Sequence, residues 1–266
     1  MSWTLFKANI RGIRTIWILM TAVYIGYFAV VLSMYDPQST QAIEQMLEML
    51  PEGLLKAFGM ERVGDTLLSF LTIYMYGILL FLFPMVISTV VNHRLIAAHV
   101  DRGSRAYLLS TPNSRKKIVA TQALFSLASI TMFFAVITIC ALGLSEIMLP
   151  GEMETGDFIL VNVYSLLMYY AIGGIGFLAS CIANESKVSL GLGIGVPLTF
   201  LELQMIGDVG DKFSWLGKLS LYYLFQPEQL IEGASFAYVS MAVFVALAAV
   251  LYAAGIAMFN KRDLYL

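Results

Sequence analysis

Hydrophobic and polar positions alternate along this chain on a long scale, not a short one. Six apolar runs, Thr15 to Met34, Leu67 to Val91, Ile118 to Leu144, Phe158 to Ala183, Val188 to Ile206 and Phe236 to Phe259, are separated by short polar segments. Each run holds about 20 residues, the length a helix rising about 1.5 Å per residue needs to cross a hydrocarbon core of about 30 Å. Backbone polar groups in lipid must be satisfied within the protein, and the runs lack the two-residue alternation of a closed barrel, so each run predicts a helix. The expected fold is an all-α polytopic membrane protein, one transmembrane domain over residues 1–266 with six transmembrane helices.

The polar segments carry patterns of their own. Residues 1–14 place Trp3, Phe6, Ile10 and Ile13 at helical spacing with Lys7, Arg11 and Arg14 between them, which predicts an interfacial helix turning into the first span. An ordinary cationic flank explains the same residues equally well. The first run is too long for a signal-peptide core and is followed by no small-residue cleavage pattern, so it is expected to stay in the membrane. Between the first two spans, Ile43, Met46, Leu47, Leu50, Leu54, Leu55 and Phe58 share one face, and Pro51 suits the start of a second short helix. Segment 207–235 holds Trp215, Leu219, Leu221, Tyr222, Tyr223, Leu224 and Phe225. It is too apolar for a plain loop and too short to cross, which predicts short helices folded back in a re-entrant segment, with an aromatic interface belt as the other reading.

Composition agrees with lipid as the main solvent. The chain is 59% hydrophobic and 13% charged with a mean hydropathy of +0.79, against about 25% charged residues in soluble domains. No segment outside the apolar runs exceeds about 30 residues, which leaves no room for a separate soluble domain. The net charge of −2 conceals a strong asymmetry. With the N-terminus inside, Lys7, Arg11, Arg14, Arg94, Arg102, Arg105, Arg115, Lys116, Lys117, Lys187, Lys261 and Arg262 are cytoplasmic, and only Lys56, Arg62, Lys212 and Lys218 lie outside. The bias of cations toward the cytoplasmic side therefore places both termini in the cytoplasm.

Catalytic patterns are missing from the sequence. No phosphate-binding loop, nucleophile elbow or H-E-x-x-H occurs, and no catalytic residue or enzymatic activity is expected of this chain. His93 and His99 have no Cys or carboxylate at ligand spacing, so no metal site is expected. Cys140 and Cys181 sit inside apolar runs as packing residues. "GGIGF" from Gly173 and "GLGIG" from Gly191 fall within spans, where small residues let helix backbones approach closely. Glu202 is the one acid within a span and a candidate for a transport pathway, although its shallow depth also lets it reach the outer interface. Pro84 and Pro197 are expected to kink the second and fifth spans and to mark mobile or pathway-facing helices.

One cytoplasmic segment asks for more than topology. Arg115, Lys116 and Lys117 are explained by orientation, but residues 98–112 before them put Val100, Tyr107 and Leu108 on one helical face, ended by Pro112. A short amphipathic helix between two spans is suited to docking in a groove of a partner protein.

This stretch, "DRGSRAYLLSTPNSRKKIVATQ", resembles the loop between the second and third spans of permease subunits of ABC-2 type transporters, where an acid, a glycine, a leucine pair, S-x-P and an arginine recur in order. The basic N-terminal helix, "LSLYYLFQPEQLIEG" before the last span and the closing "FNKRDLYL" agree with the same family, so the resemblance covers essentially the whole chain. It implies an ABC-2 type exporter fold in a bacterial cytoplasmic membrane. It also implies pairing with a second permease copy or homologue and two separate ABC ATPase subunits that hold ATP and Mg. Asp101, Gly103, Leu108, Leu109, Pro112 and Arg115 match the ATPase-coupling segment, while Arg102 and Arg105 depart from it toward basic character, which implies an acidic ATPase surface. Multidrug or peptide efflux falls within what the resemblance allows. Membrane lipid is an expected partner and nucleic acid is not. The rival reading is a secondary transporter or channel working alone with Glu202 as its coupling group; a membrane enzyme comes third.

Overall fold

The apolar runs are helices in a computed structural model that describes residues 2–35, 66–97, 114–209 and 211–261. Helix α1 covers Trp3–Met34, α2 Leu67–Tyr74 and α3 Ile78–Asn92, which continues into a π-helical turn at His93–Ala97. Then come α4 Arg115–Met148, α5 Thr155–Ile182 and α6 Ser186–Val209, the short α7 Ser214–Gly217 and α8 Pro227–Ile231, and α9 Ser235–Lys261. Single 3-10 turns at Asp211–Phe213 and Leu221–Leu224 join the short helices. No strand occurs among the described residues.

Local chemistry accounts for the boundaries. The Thr66 hydroxyl accepts from the Ser69 amide at 3.2 Å to open α2, and Ser114 accepts from the Lys117 amide at 3.3 Å to open α4. Each satisfies one of the amides that a helix start leaves without an intrahelical partner. Pro227 stands in the first turn of α8, where no amide is needed. Two turns need backbone conformations that side chains resist: Gly151, with φ 80, turns the chain from α4 to α5, and Gly233, with φ 74, turns it from α8 to α9.

Five helices, α1, α4, α5, α6 and α9, are long and apolar enough to cross a membrane. The second run departs from the continuous span expected over 67–91. It is interrupted at Met75, Tyr76 and Gly77, and its remaining apolar helix is Phe81–Ala97. The interruption is not at Pro84, which lies buried within α3, and Pro197 likewise lies within α6. A helical proline removes one backbone bond, and neighbouring helices in a bundle re-satisfy what it frees. The broken run still traverses the bundle. Phe70 packs on Tyr35 at one end, ring centroids 5.3 Å apart, and Arg94 reaches the Gly12 carbonyl at the other. Those two partners lie on one helix, about 35 Å apart at 1.5 Å per residue.

Residues 3–14 are continuous with the first span, without a break in α1. Their apolar stripe packs on α4: Phe6 meets Phe125 at 4.8 Å and Ile13 is buried, while Trp3 and Ile10 remain exposed. The amphipathic segment around Pro51 lies outside the described residues.

Helix α5 is the centre of the bundle. In its most apolar stretch 61% of residues are buried, against 22% in α6 and α9. Lipid tails are as apolar as leucine, so close van der Waals contact between backbones, not exclusion of water, holds such helices together. The glycines of "GGIGF" provide that contact. A Cβ at Gly173 would stand 2.7 Å from Ile130 Cδ1, and one at Gly174 2.9 Å from Leu251 Cβ. "GLGIG" behaves differently: Gly193 faces Gly176 across the α5–α6 contact, while Gly191 and Gly195 have nothing within 4 Å. Helix α9 completes the packing through Gly255 against Phe177, and neither Cys140 nor Cys181 is part of a disulfide.

Candidate functional site

Two places in the bundle combine polar groups with a structural irregularity, one at each end. At the end far from the N-terminus, the broken run, α6 and the short helices enclose a cavity of about 350 Å³. The interruption itself borders it, through Tyr76 and Gly77, followed one turn later by Phe81. Non-helical backbone at membrane depth is tolerated where it is buried in protein or lines a cavity, and here Met75 and Tyr76 are buried while Tyr76 and Gly77 border the cavity. Asn162 donates to the Tyr76 hydroxyl at 2.6 Å and to the Phe158 carbonyl at 2.8 Å, which fixes the irregular turn against α5.

The cavity has an aromatic floor and an acidic rim. Phe81 packs on Tyr222 with centroids 4.3 Å apart and meets Phe225 edge-on at 6.3 Å. Burial pushes the Tyr222 phenol well above its ordinary range, so it remains neutral. Leu201, Gln204, Met205 and Asp208 reach the cavity from one face of α6 at the i, i+3, i+4, i+7 spacing of a helix stripe. The Gln204 amide donates to both carboxylate oxygens of Asp208 at 3.0 Å, while Gln204 Oε1 is buried and accepts no hydrogen bond among the described residues. Glu228 and Gln229 contribute from the start of α8, and Asp208 and Glu228 are both exposed.

The short helices that close the cavity are pinned from below. Tyr164 on α5 donates its hydroxyl to the Leu224 carbonyl and accepts from the Gln226 amide at 3.3 Å. Ser220 donates to the Phe200 carbonyl at 2.6 Å. Gly207 meets Gly217 so closely that a Cβ on Gly207 would lie 2.5 Å from the Gly217 backbone. The segment expected to fold back at 207–235 thus packs Leu221, Tyr222, Phe225 and Leu230 inward and leaves Trp215 and Leu219 exposed.

At the N-terminal end a polar clasp joins three helices. Asn9 on α1 donates to Gln122 Oε1 at 2.5 Å, and Gln122 on α4 donates in turn to the Leu95 carbonyl in the π turn at 3.1 Å. Arg94 donates to the Gly12 carbonyl at 2.8 Å, and the Ser2 amide donates to Thr121 at 3.0 Å. One turn deeper, Asn92 donates to the Gly173 carbonyl and Thr89 to the Gly193 carbonyl, at 3.0 and 3.1 Å. A π turn spaces its hydrogen bonds more widely than an α-helix and leaves carbonyls for other donors. Leu95, Ile96 and Ala97 are all buried where the chain leaves the described residues, and it returns at Ser114, the cap of α4.

The clasp therefore holds both stems of the segment singled out for partner docking. Of its residues, Val100, Asp101, Arg102, Gly103, Arg105, Tyr107, Leu108, Leu109 and Pro112 lie outside the described residues; Arg115 is the first residue of α4. The pathway candidates fall elsewhere: Glu202 is exposed on α6 next to Leu201 but does not line the cavity, and neither do Pro84 and Pro197. Asp208 is missed by hydropathy, which ends the fifth span at Ile206, whereas α6 runs on to Val209. The helical spacing of Gln204 and Asp208 with Leu201 is the signal the sequence offers. Among the described residues no group of three or more His, Cys, Asp or Glu is placed to hold a metal.

The family profile described as ABC-2 family transporter protein matches residues 6–264, nearly the whole chain. No curated protein matches the sequence.

Proposed function

The chain belongs to the ABC-2 family of transporter proteins and is a multi-pass membrane permease of an ABC transporter, and from that premise we propose how it works. Run 67–97 is a sixth, broken span, and both termini lie on the cytoplasmic side of a bacterial cytoplasmic membrane, as the distribution of Lys and Arg favours. Two permease copies form the translocation pathway. Two separate ATPase subunits, which bind ATP and Mg, drive it through residues 98–112, and the direction is export.

The observation that carries this reading is the course of the second run. The same short segment borders the far cavity at Tyr76, Gly77 and Phe81 and leads, through the clasped π turn, directly into residues 98–112. Phe81 and Ala97 are about 24 Å apart along a helix. A displacement at the cytoplasmic end is therefore delivered to the cavity wall by α3 moving as a rod, with the break at Met75–Gly77 as the point that yields. Export is favoured because the cavity lies at the end that the cation distribution puts outside, where cargo would be released. The stand-alone reading loses support from the position of Glu202, which is exposed on α6 and outside the cavity lining.

Reconstitution in proteoliposomes separates the two. The permease together with its ATPase subunits is expected to transport only when ATP is hydrolysed, and Glu202→Gln is expected to leave that transport within about twofold of wild type. Transport by the chain alone, independent of ATP and abolished by Glu202→Gln, would establish the stand-alone reading instead.

A further inference from the structure

We infer that the groove between the first half of α1 and α4 holds an anionic phospholipid, one acyl chain lying along the groove and the phosphate at Arg14. The site stands apart from the far cavity and holds whatever the cargo is.

The shape of the groove comes first. Its volume is about 460 Å³, within the range of small-molecule sites, about 300–1,000 Å³. Phe6, Ile10 and Ile13 form its α1 wall at the i, i+4, i+7 spacing of one stripe, and Phe125, Ala128 and Met132 form its α4 wall at i, i+3, i+7. From Phe6 to Ile18, the ends of the α1 wall, is about 18 Å at 1.5 Å per residue. One leaflet contributes about half of a hydrocarbon core of about 30 Å, so the groove suits an extended chain better than a compact ligand. Ile10, Ile18 and Met132 are exposed along its mouth.

Charge selects the headgroup. Lys7, Arg11 and Arg14 form an exposed stripe beside the α1 wall, and Arg14 is itself part of the lining. Neither Arg11 nor Arg14 has a hydrogen bond or ion pair among the described residues. Helix α1 contains no Asp or Glu, the single one in α4 is Glu146 near its other end, and no carboxylate lines the groove. A basic site between helices at a membrane surface is suited to an anionic headgroup, whose phosphate pairs with arginine. Further along the groove Trp17 donates to the Ser129 carbonyl at 3.4 Å, and the buried Ser129 hydroxyl lacks a hydrogen-bond partner among the described residues. One side-chain torsion lets that hydroxyl turn to an ester oxygen deeper than the phosphate. A second copy of the chain fits the groove less well, because a two-fold contact on this face would bring two cationic stripes together.

Two lipids with identical chains and different headgroups test this, dioleoylphosphatidylglycerol and dioleoylphosphatidylcholine, titrated against the full chain in detergent and read by native mass spectrometry. Phosphatidylglycerol is expected to bind saturably and at least about tenfold more tightly than phosphatidylcholine. Arg14→Gln removes the charge and Ala128→Leu fills the groove; each is expected to weaken phosphatidylglycerol binding at least about fivefold, and Arg14→Lys to keep most of it. The double variant K116Q/K117Q lowers the charge at the same end outside the lining and is expected to stay within about twofold of wild type. Thermal unfolding of each variant without added lipid establishes that it is folded. Equal affinity for the two lipids, unchanged binding in the folded Arg14→Gln chain, or an equal loss in K116Q/K117Q would overturn the inference. So would lipid-free dimers that Ala128→Leu dissociates, which would give the groove to a second copy.

Discussion

The two ends of the bundle are held by different chemistry. The N-terminal end is joined by directional hydrogen bonds, Asn9 to Gln122 to Leu95 and Arg94 to Gly12, each linking helices distant in sequence. The far end adds to its hydrogen bonds from Asn162, Tyr164 and Ser220 a set of tilted ring contacts, Phe81 on Tyr222 and Tyr164 on Phe225 at 4.8 Å, around a cavity. Hydrogen bonds fix register and direction, whereas ring contacts tolerate sliding and tilting at little cost. The difference suits an end that receives a displacement and an end that responds to one.

The largest effect is expected in the middle, where both ends depend on α5. Gly176→Leu would place a side chain against Asn92 and Thr89, 3.3 Å from Asn92 Nδ2 already at its Cβ. Loss of folded protein in membranes, measured by yield and monodispersity in detergent, is the expected outcome, while Gly191→Leu, with nothing within 4 Å, should be tolerated. Similar losses for both would mean that the close α3–α5 contact does not support the bundle.

Next in size is the clasp. Gln122→Leu deprives the buried Asn9 amide and the Leu95 carbonyl of their partner, a cost of about 1–3 kcal/mol for each group left unsatisfied. A lower unfolding temperature and loss of most ATP-driven transport are expected. A variant that kept full ATP-driven transport would remove the clasp from the coupling route.

Tyr164→Phe is the matching change at the far end. It removes the hydroxyl that bonds Leu224 and Gln226 and keeps the ring against Phe225. About 1 kcal/mol of stability is expected to be lost. Faster hydrogen exchange confined to residues 221–231 would register the loosened closure, and exchange spread evenly over the bundle would contradict it. Arg94→Ala is the mildest: the side chain is exposed and its bond to Gly12 competes with water, so a loss of about 0.5 kcal/mol or less is expected from thermal unfolding.

The legible parts of the sequence follow from simple physics. Helix existence is written in runs of about 20 apolar residues because the bilayer demands that length. The packing role of "GGIGF" was legible because only small residues admit a neighbouring backbone in lipid. The break in the second span was not, since it falls at Met75, Tyr76 and Gly77 in an apolar stretch, while the more conspicuous Pro84 lies inside a helix. What fixes the break is tertiary: the Asn162 contact to Tyr76 comes from a residue 86 positions away. Asp208 is hidden because hydropathy locates the end of apolar sequence, not the end of a helix, and Asp208 stands in the last residues of α6 beyond that end. Glu202 attracted attention for its charge, yet helix rotation decides what faces a cavity, and Leu201 and Gln204 hold that face.

The central claim is that residues 98–112 connect this permease to an ATPase, and Leu108→Asp tests it most directly. The substitution puts a carboxylate at a position that the sequence spacing groups with Val100 and Tyr107. Purified with its ATPase subunits, the wild-type chain should hold them and stimulate ATP hydrolysis. The Leu108→Asp chain should insert normally, release the ATPase and lose the stimulation. An ATPase that remains bound and stimulated to the same degree by Leu108→Asp would contradict the account.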